Sequence, residues 1–145
     1  MLRRLVFVVL LLFCGLATAQ VWENDFDQAM KLAADQNKPL ILVFAGSDWC
    51  APCIRLEKEI WVNASFETYA KSNYVMYKAD FPRKKSNRLA GHLQKKHASL
   101  AEKYNPKGYF PLVVILRDAD RVLGTTTYKK MEVDSYIEHL NSFLR

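Results

Sequence analysis

Leu40-Ile41-Leu42-Val43-Phe44 is an apolar run with no polar interruption. A strand with one wet face alternates apolar and polar residues, so an unbroken run this short reads as a strand covered on both faces, as in a central parallel sheet. Residues 74–80 and 111–116 give a second and a third strand. Helical spacing fills the gaps. Phe26, Ala29, Met30 and Ala33, with a capping pattern at Asp25 and Gln28 and Pro39 beyond, predict a helix over 25–36. Ile54, Leu56, Ile60 and Trp61 mark a second helix from about Cys50, with Pro52 tolerated in its first turn. Residues 66–70 add a turn or two. Leu89, Leu93, His97, Leu100 and Tyr104 share one face of a later helix, which the pattern of Ser99 and Glu102 predicts to break near Ser99. Residues 118–121 form a turn and 122–128 a hairpin partner with a bulge at Gly124. Val133, Ile137, Leu140 and Leu144 close the chain with a helix. Helices alternating with buried strands, then an antiparallel pair, specify an α/β fold: a central mixed β-sheet flanked by helices on both faces.

With 145 residues, 50% apolar, and only 5 Gly and 5 Pro, the chain has the material for one ordinary domain. That composition excludes disordered and collagen-like classes, and 3 cysteines are too few for a disulfide-built scaffold. Arg3 and Arg4, the apolar run from Leu5 to Phe13 and Ala17-Thr18-Ala19 read as a secretory signal peptide over 1–19, cleaved near Ala19/Gln20. Its apolar core is shorter than the about 20 residues that span a bilayer, so no stable membrane insertion is expected after cleavage. Phe13 is too bulky to precede a lipidated Cys14. The expectation is a periplasmic or secreted domain over 20–145 that keeps one cysteine pair, Cys50 and Cys53. The net charge of +6 includes the two arginines of that leader. Most of the remaining excess sits at Arg83, Lys84, Lys85, Arg88, Lys95 and Lys96, with no acid between them. A solvated face or loop is one reading; an anionic partner or membrane surface is the other. Nucleic acid does not suit an exported protein.

Cys50-Ala51-Pro52-Cys53 falls where a buried strand gives way to a helix. There the unsatisfied N–H groups and positive end of the helix stabilise a thiolate at Cys50. Two intervening residues, with Pro52 stiffening the turn, bring Cys53 within bonding distance but deeper. The pair reads as a nucleophile that attacks a substrate disulfide and a thiol that resolves the mixed disulfide. A permanent structural bridge over so short a loop would stabilise little. The rival reading is metal binding by Cys50, Cys53, His92 and His97, although His92 and His97 face different sides of their helix. His139 carries no functional signal.

Gly46-Ser47-Asp48-Trp49-Cys50-Ala51-Pro52-Cys53, Ala79-Asp80-Phe81-Pro82 and the stretch from Leu100 to Pro111 resemble the thioredoxin superfamily, and within it the bacterial periplasmic thioredoxin-like disulfide reductase/isomerase subgroup. The resemblance implies a thioredoxin-like fold, an attacking Cys50 and a resolving Cys53. It implies that Trp49 shapes the substrate surface and that Pro111 is a cis-proline against the disulfide. The backbone of Phe110 would pair with substrate. Two positions depart from the pattern. Phe44 stands where many thioredoxins bury an acid that helps deprotonate the resolving thiol, so either Asp48 or water takes that task or the resolving step is slower. Phe110 is bulkier than usual.

The expected activity is a protein-disulfide reductase or isomerase, a thiol:disulfide oxidoreductase acting on secreted or periplasmic client proteins. The dithiol is the catalyst, with no metal or organic cofactor, and an electron donor that the sequence does not identify recycles it. A dithiol oxidant of the same fold, a metal-binding module using Cys50 and Cys53, and an adaptor that binds clients without turnover are the alternatives. One CxxC and no added dimerisation segment favour a monomer.

Overall fold

The computed structural model describes residues 22–145, so the expected leader at 1–19 and Cys14 lie outside the described residues. The chain runs β1 (Trp22–Glu23), α1 (Phe26–Asp35), β2 (Leu40–Ala45), α2 (Ala51–Leu56) continued by a π-helical turn (Glu57–Trp61), then α3 (Ala64–Asn73) and β3 (Val75–Asp80). A 3-10 turn (Lys85–Asn87) leads to α4 (Gly91–Tyr104), followed by β4 (Leu112–Asp118), β5 (Arg121–Thr126), α5 (Val133–Asn141) and a last 3-10 turn (Ser142–Leu144). The strands form one mixed sheet in the order β1-β3-β2-β4-β5. β2 is parallel to β3 and antiparallel to β4.

Every residue of β2 is buried, as its unbroken apolar run requires. Leu40, Leu42 and Phe44 enter one core layer with Phe26, Ala29, Tyr77 and Leu100, beneath α1 and α4. Ile41, Val43 and Ala45 enter the other with Trp61, Phe66, Ile115 and Tyr136, beneath α2, α3 and α5. Both cysteines belong to this second layer.

α1 begins where expected, with the Asp25 carboxylate accepting the Gln28 N–H at 2.8 Å. β1 pairs with β3 through only two residues, too few to show a sequence period. α3 is a full ten-residue helix rather than a turn or two, capped by Asn63 accepting the Ser65 N–H. The expected break at Ser99 does not occur: His97 and Leu100 bury on one stripe through that point, while Ser99 faces solvent. In the hairpin, Ile115 pairs with Gly124 and Leu116 with Val122, so the extra residue is Leu123, beside Gly124. Gly124 is further required because a Cβ there would overlap the ring of Phe143. The helix expected from Cys50 to Trp61 widens into its π-helical turn, which presents two consecutive buried residues, Ile60 and Trp61, to the core.

Trp61 is 2% exposed and packs edge-on against Trp22 and Tyr136 and tilted against Phe66. Trp61→Ala is therefore expected to destabilise the domain by about 3–5 kcal/mol, measured as a fall in denaturant midpoint with an unchanged slope.

Candidate active site

The last register pair of β2 and β3 is Ala45 with Asp80. The two chains thus leave the sheet side by side, and the Phe81 N–H continues the ladder to the Ala45 carbonyl at 2.9 Å. Asp80 then turns its carboxylate onto the neighbouring loop, accepting the Ser47 N–H at 2.9 Å and the Ser47 hydroxyl. Asp48 reaches back the other way. Its oxygens accept the N–H groups of Arg83 and Lys84, both at 2.9 Å, and the Asn87 amide at 3.0 Å. These hydrogen bonds, led by that of the Arg83 backbone, hold its carboxyl below the ordinary carboxylate value. The geometry makes Asp48 the clamp of the 81–87 loop.

Trp49 lies over the glycine of the first turn: a Cβ at Gly46 would overlap its indole. The indole N–H donates to the Phe81 carbonyl at 2.8 Å, and the ring meets that of Phe110 edge-on at 5.5 Å. The Arg83 guanidinium lies 3.7 Å from the centroid of the Trp49 ring. The Phe110–Pro111 bond is cis, as the resemblance implies.

Cys50 is the N-cap residue of α2, with Pro52 in the first turn. Its sulfur is bonded to that of Cys53 and accepts the Cys53 N–H at 3.3 Å. The Gly46 N–H points at the Cys53 sulfur from 3.5 Å. The two cysteines are equally buried, each 5% exposed, where the sequence places Cys53 deeper. Trp49 and Phe110 pack against the layer that holds both sulfurs. N–H groups placed in this way favour a sulfur bearing negative charge.

Phe44 is fully buried and stacks on Phe81, in the core layer across the sheet from the one that holds the cysteines. A cavity of about 290 Å³ lined by Ser47, Cys53, Glu57, Lys58 and Lys78 borders the resolving cysteine instead. Glu57 and Lys78 form an ion pair across it at 2.6 Å. No sequence motif flagged this pair; the fold brings it together by placing the start of the π-helical turn beside Lys78 of β3.

His97, considered above as a metal ligand, is buried with both ring nitrogens engaged, Nδ1 by the Asp80 carbonyl at 2.9 Å and Nε2 by the Tyr77 hydroxyl at 3.1 Å. A neutral ring donating from Nδ1 and accepting at Nε2 satisfies both. His92 is exposed on α4. Among the described residues no group of three or more His, Cys, Asp or Glu side chains is placed to hold a metal ion.

Burial draws His97 below its ordinary value of 6.5, and His139 is shifted the same way by burial and Lys129. The unfolded chain then binds protons more readily than the folded one as pH falls below about 6.5. Stability present above that pH is expected to decline as pH drops from about 7 to about 5, and His97→Gln to flatten that slope in denaturation curves. Asp48→Ala is expected to free the clamped loop, read as faster hydrogen exchange at the Arg83 and Lys84 amides.

Comparison with known proteins agrees with this geometry. The model of a family described as thioredoxin-like matches residues 21–118. The chain is 26% identical over 130 residues to the disulfide bond reductase DsbH of Chlamydia pneumoniae, covering 90% of this chain and 76% of that protein. A solved structure of a DsbH oxidoreductase superposes with a TM-score of 0.77 at 28% identity, over 85% of this chain and 83% of that one. A disulphide isomerase from Xylella fastidiosa Temecula1 shares the fold, with a TM-score of 0.60 at 19% identity over 82% and 88% of the two chains. The chain belongs to the thioredoxin-like family, and with its Cys50–Cys53 pair it is a thiol:disulfide oxidoreductase.

Proposed function

We propose that this protein reduces or isomerises disulfides of client proteins outside the cytoplasm. The observation that carries the reading is the bonded Cys50–Cys53 pair at the start of α2, with Trp49 and Phe110 packed over its layer. Similarity to a protein named as a disulfide bond reductase favours the reducing direction. The leader pattern over 1–19 supports export, and among the described residues no helix is long and apolar enough to cross a membrane.

In the reduced enzyme the Cys50 thiolate attacks one sulfur of a client disulfide. A Cys50–client bond forms, the client bond breaks, and the departing client sulfur takes a proton. Cys53 loses its proton to solvent through the cavity beside it, and its thiolate attacks the Cys50 sulfur. The Cys50–Cys53 bond forms and the second client thiol leaves. The client has gained two electrons and the enzyme dithiol has lost them, so a dithiol donor must reduce the enzyme again. Trp49, Phe110 and Pro111 form the surface on which the client chain lies; Asp48 and Pro52 hold the segments on either side of Cys50. Clients are secreted or periplasmic proteins, and the enzyme acts as a monomer.

Two measurements test this reading. Cys53→Ser is expected to accumulate a mixed disulfide with client, seen as a thiol-sensitive band, whereas Cys50→Ser forms none and loses turnover. Titration in thiol/disulfide buffers is expected to give a potential near the about −270 mV of thioredoxin. A value near about −120 mV would make the protein an oxidant.

A further inference from the structure

The cationic stretch after β3 has no part in the electron transfer, yet the fold fixes it at the rim of the redox site. We propose that the cleft between the 81–88 loop and α4 binds carboxylate side chains flanking the client's disulfide, so that the enzyme selects clients with acidic residues beside the target cysteine. The inference rests on the redox reading above and names the substrate class of that site.

Position comes first. The Asp48 clamp ties the loop to the residue two before Cys50. Arg83 lies over Trp49, which touches Phe110 on another side. A chain laid across Trp49 and Phe110 to reach Cys50 therefore passes beside Arg83. Behind it opens a cleft of about 340 Å³, room for one or two side chains, lined by Asp80, Phe81, Arg83, Lys84, Arg88 and Gln94 among others. Its wall is mixed, with Phe81, Pro82 and Leu89 beside Gln94 and His97, and three cations line it.

Charge comes second. The acids beside this cleft are already committed: Asp48 to the loop's own N–H groups, and Asp80 to Ser47 and the Phe81 N–H. The ion pairs among the described residues join Lys31 to Asp35, Lys78 to Glu57, Lys96 to Asp27 and Lys103 to Asp120. None includes Arg83, Lys84, Lys85 or Arg88. Arg83, Lys84 and Arg88 stand together at the cleft without a salt bridge, the Asp48 carboxylate offsetting part of the charge at Lys84, and an incoming carboxylate relieves their remaining repulsion while gaining charge-assisted hydrogen bonds. A concave cleft in register with the nucleophile fits a side chain of the reacting polypeptide better than a flat anionic surface.

The test compares two disulfide-linked peptides, identical except that glutamates flank the cysteine in one and glutamines in the other. Second-order rate constants for reduction by the purified protein are measured at low and high salt. At low salt the acidic peptide is expected to react about 10-fold faster. That ratio should approach one at about 1 M salt, where the screening length shrinks to about 3 Å. Substituting Lys84→Gln, Lys85→Gln and Arg88→Gln together should bring the low-salt ratio close to one. A ratio near one in the unsubstituted protein, or a ratio that survives the triple substitution, overturns the proposal. So does a ratio near one accompanied by co-sedimentation with phosphatidylglycerol vesicles that the triple substitution abolishes, which assigns the cleft to a membrane surface. Failure to reduce either peptide removes the redox reading and the selection reading together, an outcome distinct from a flat ratio.

Discussion

The parallel pairing of β2 with β3 sets everything at the working end of this molecule. Because the ladder ends with Ala45 opposite Asp80, two loops leave the sheet at one level and fold over each other. Ser47 meets Asp80, Asp48 meets the amides of Arg83 and Lys84, and the Trp49 indole meets the Phe81 carbonyl. On the other flank of β2, the antiparallel pairing of Phe44 with Leu112 brings the cis Phe110–Pro111 bond to the same end. Shifting β2 by one residue would turn its apolar set over and separate all of these contacts at once. The disulfide is therefore positioned by strand register and loop hydrogen bonds before any reaction begins.

The extent to which this was legible in the chain follows from how locally each feature is encoded. The run from Leu40 to Phe44 announced a strand buried on both faces, and the strand-to-helix placement of Cys50 and Cys53 announced redox chemistry, because each signal lies within a few residues. The hydrophobic stripe of α4 was readable too, but the Ser99 pattern argued for a break that packing overrides. A two-residue β1 and a π-helical turn at Glu57–Trp61 leave no periodic trace. Asp48 shows the limit most clearly. Sequence places a carboxylate two residues before Cys50, but whether it faces a thiol or a loop is decided by a strand pairing more than thirty residues away in the chain.

The same distinction governs the basic stretch. Composition alone leaves a run of cations as solvated loop or as binding surface. The fold changes the question by bending that run around Asp48 until Arg83 rests on Trp49. A loop pinned this way keeps its cations in fixed places, so their field has direction and not just magnitude.

Phe110 occupies a singular place in the packing. The central sheet divides the interior into two layers that share no buried residue, yet the Phe110 ring packs against both. It sits where the sheet ends, touching Trp49 on one side and Phe81 on the other. A residue that closes two compartments with one side chain cannot be trimmed in either alone. The size that distinguishes this position from the usual pattern is thus a keystone, and any change at Phe110 is bound to the cohesion of the whole domain.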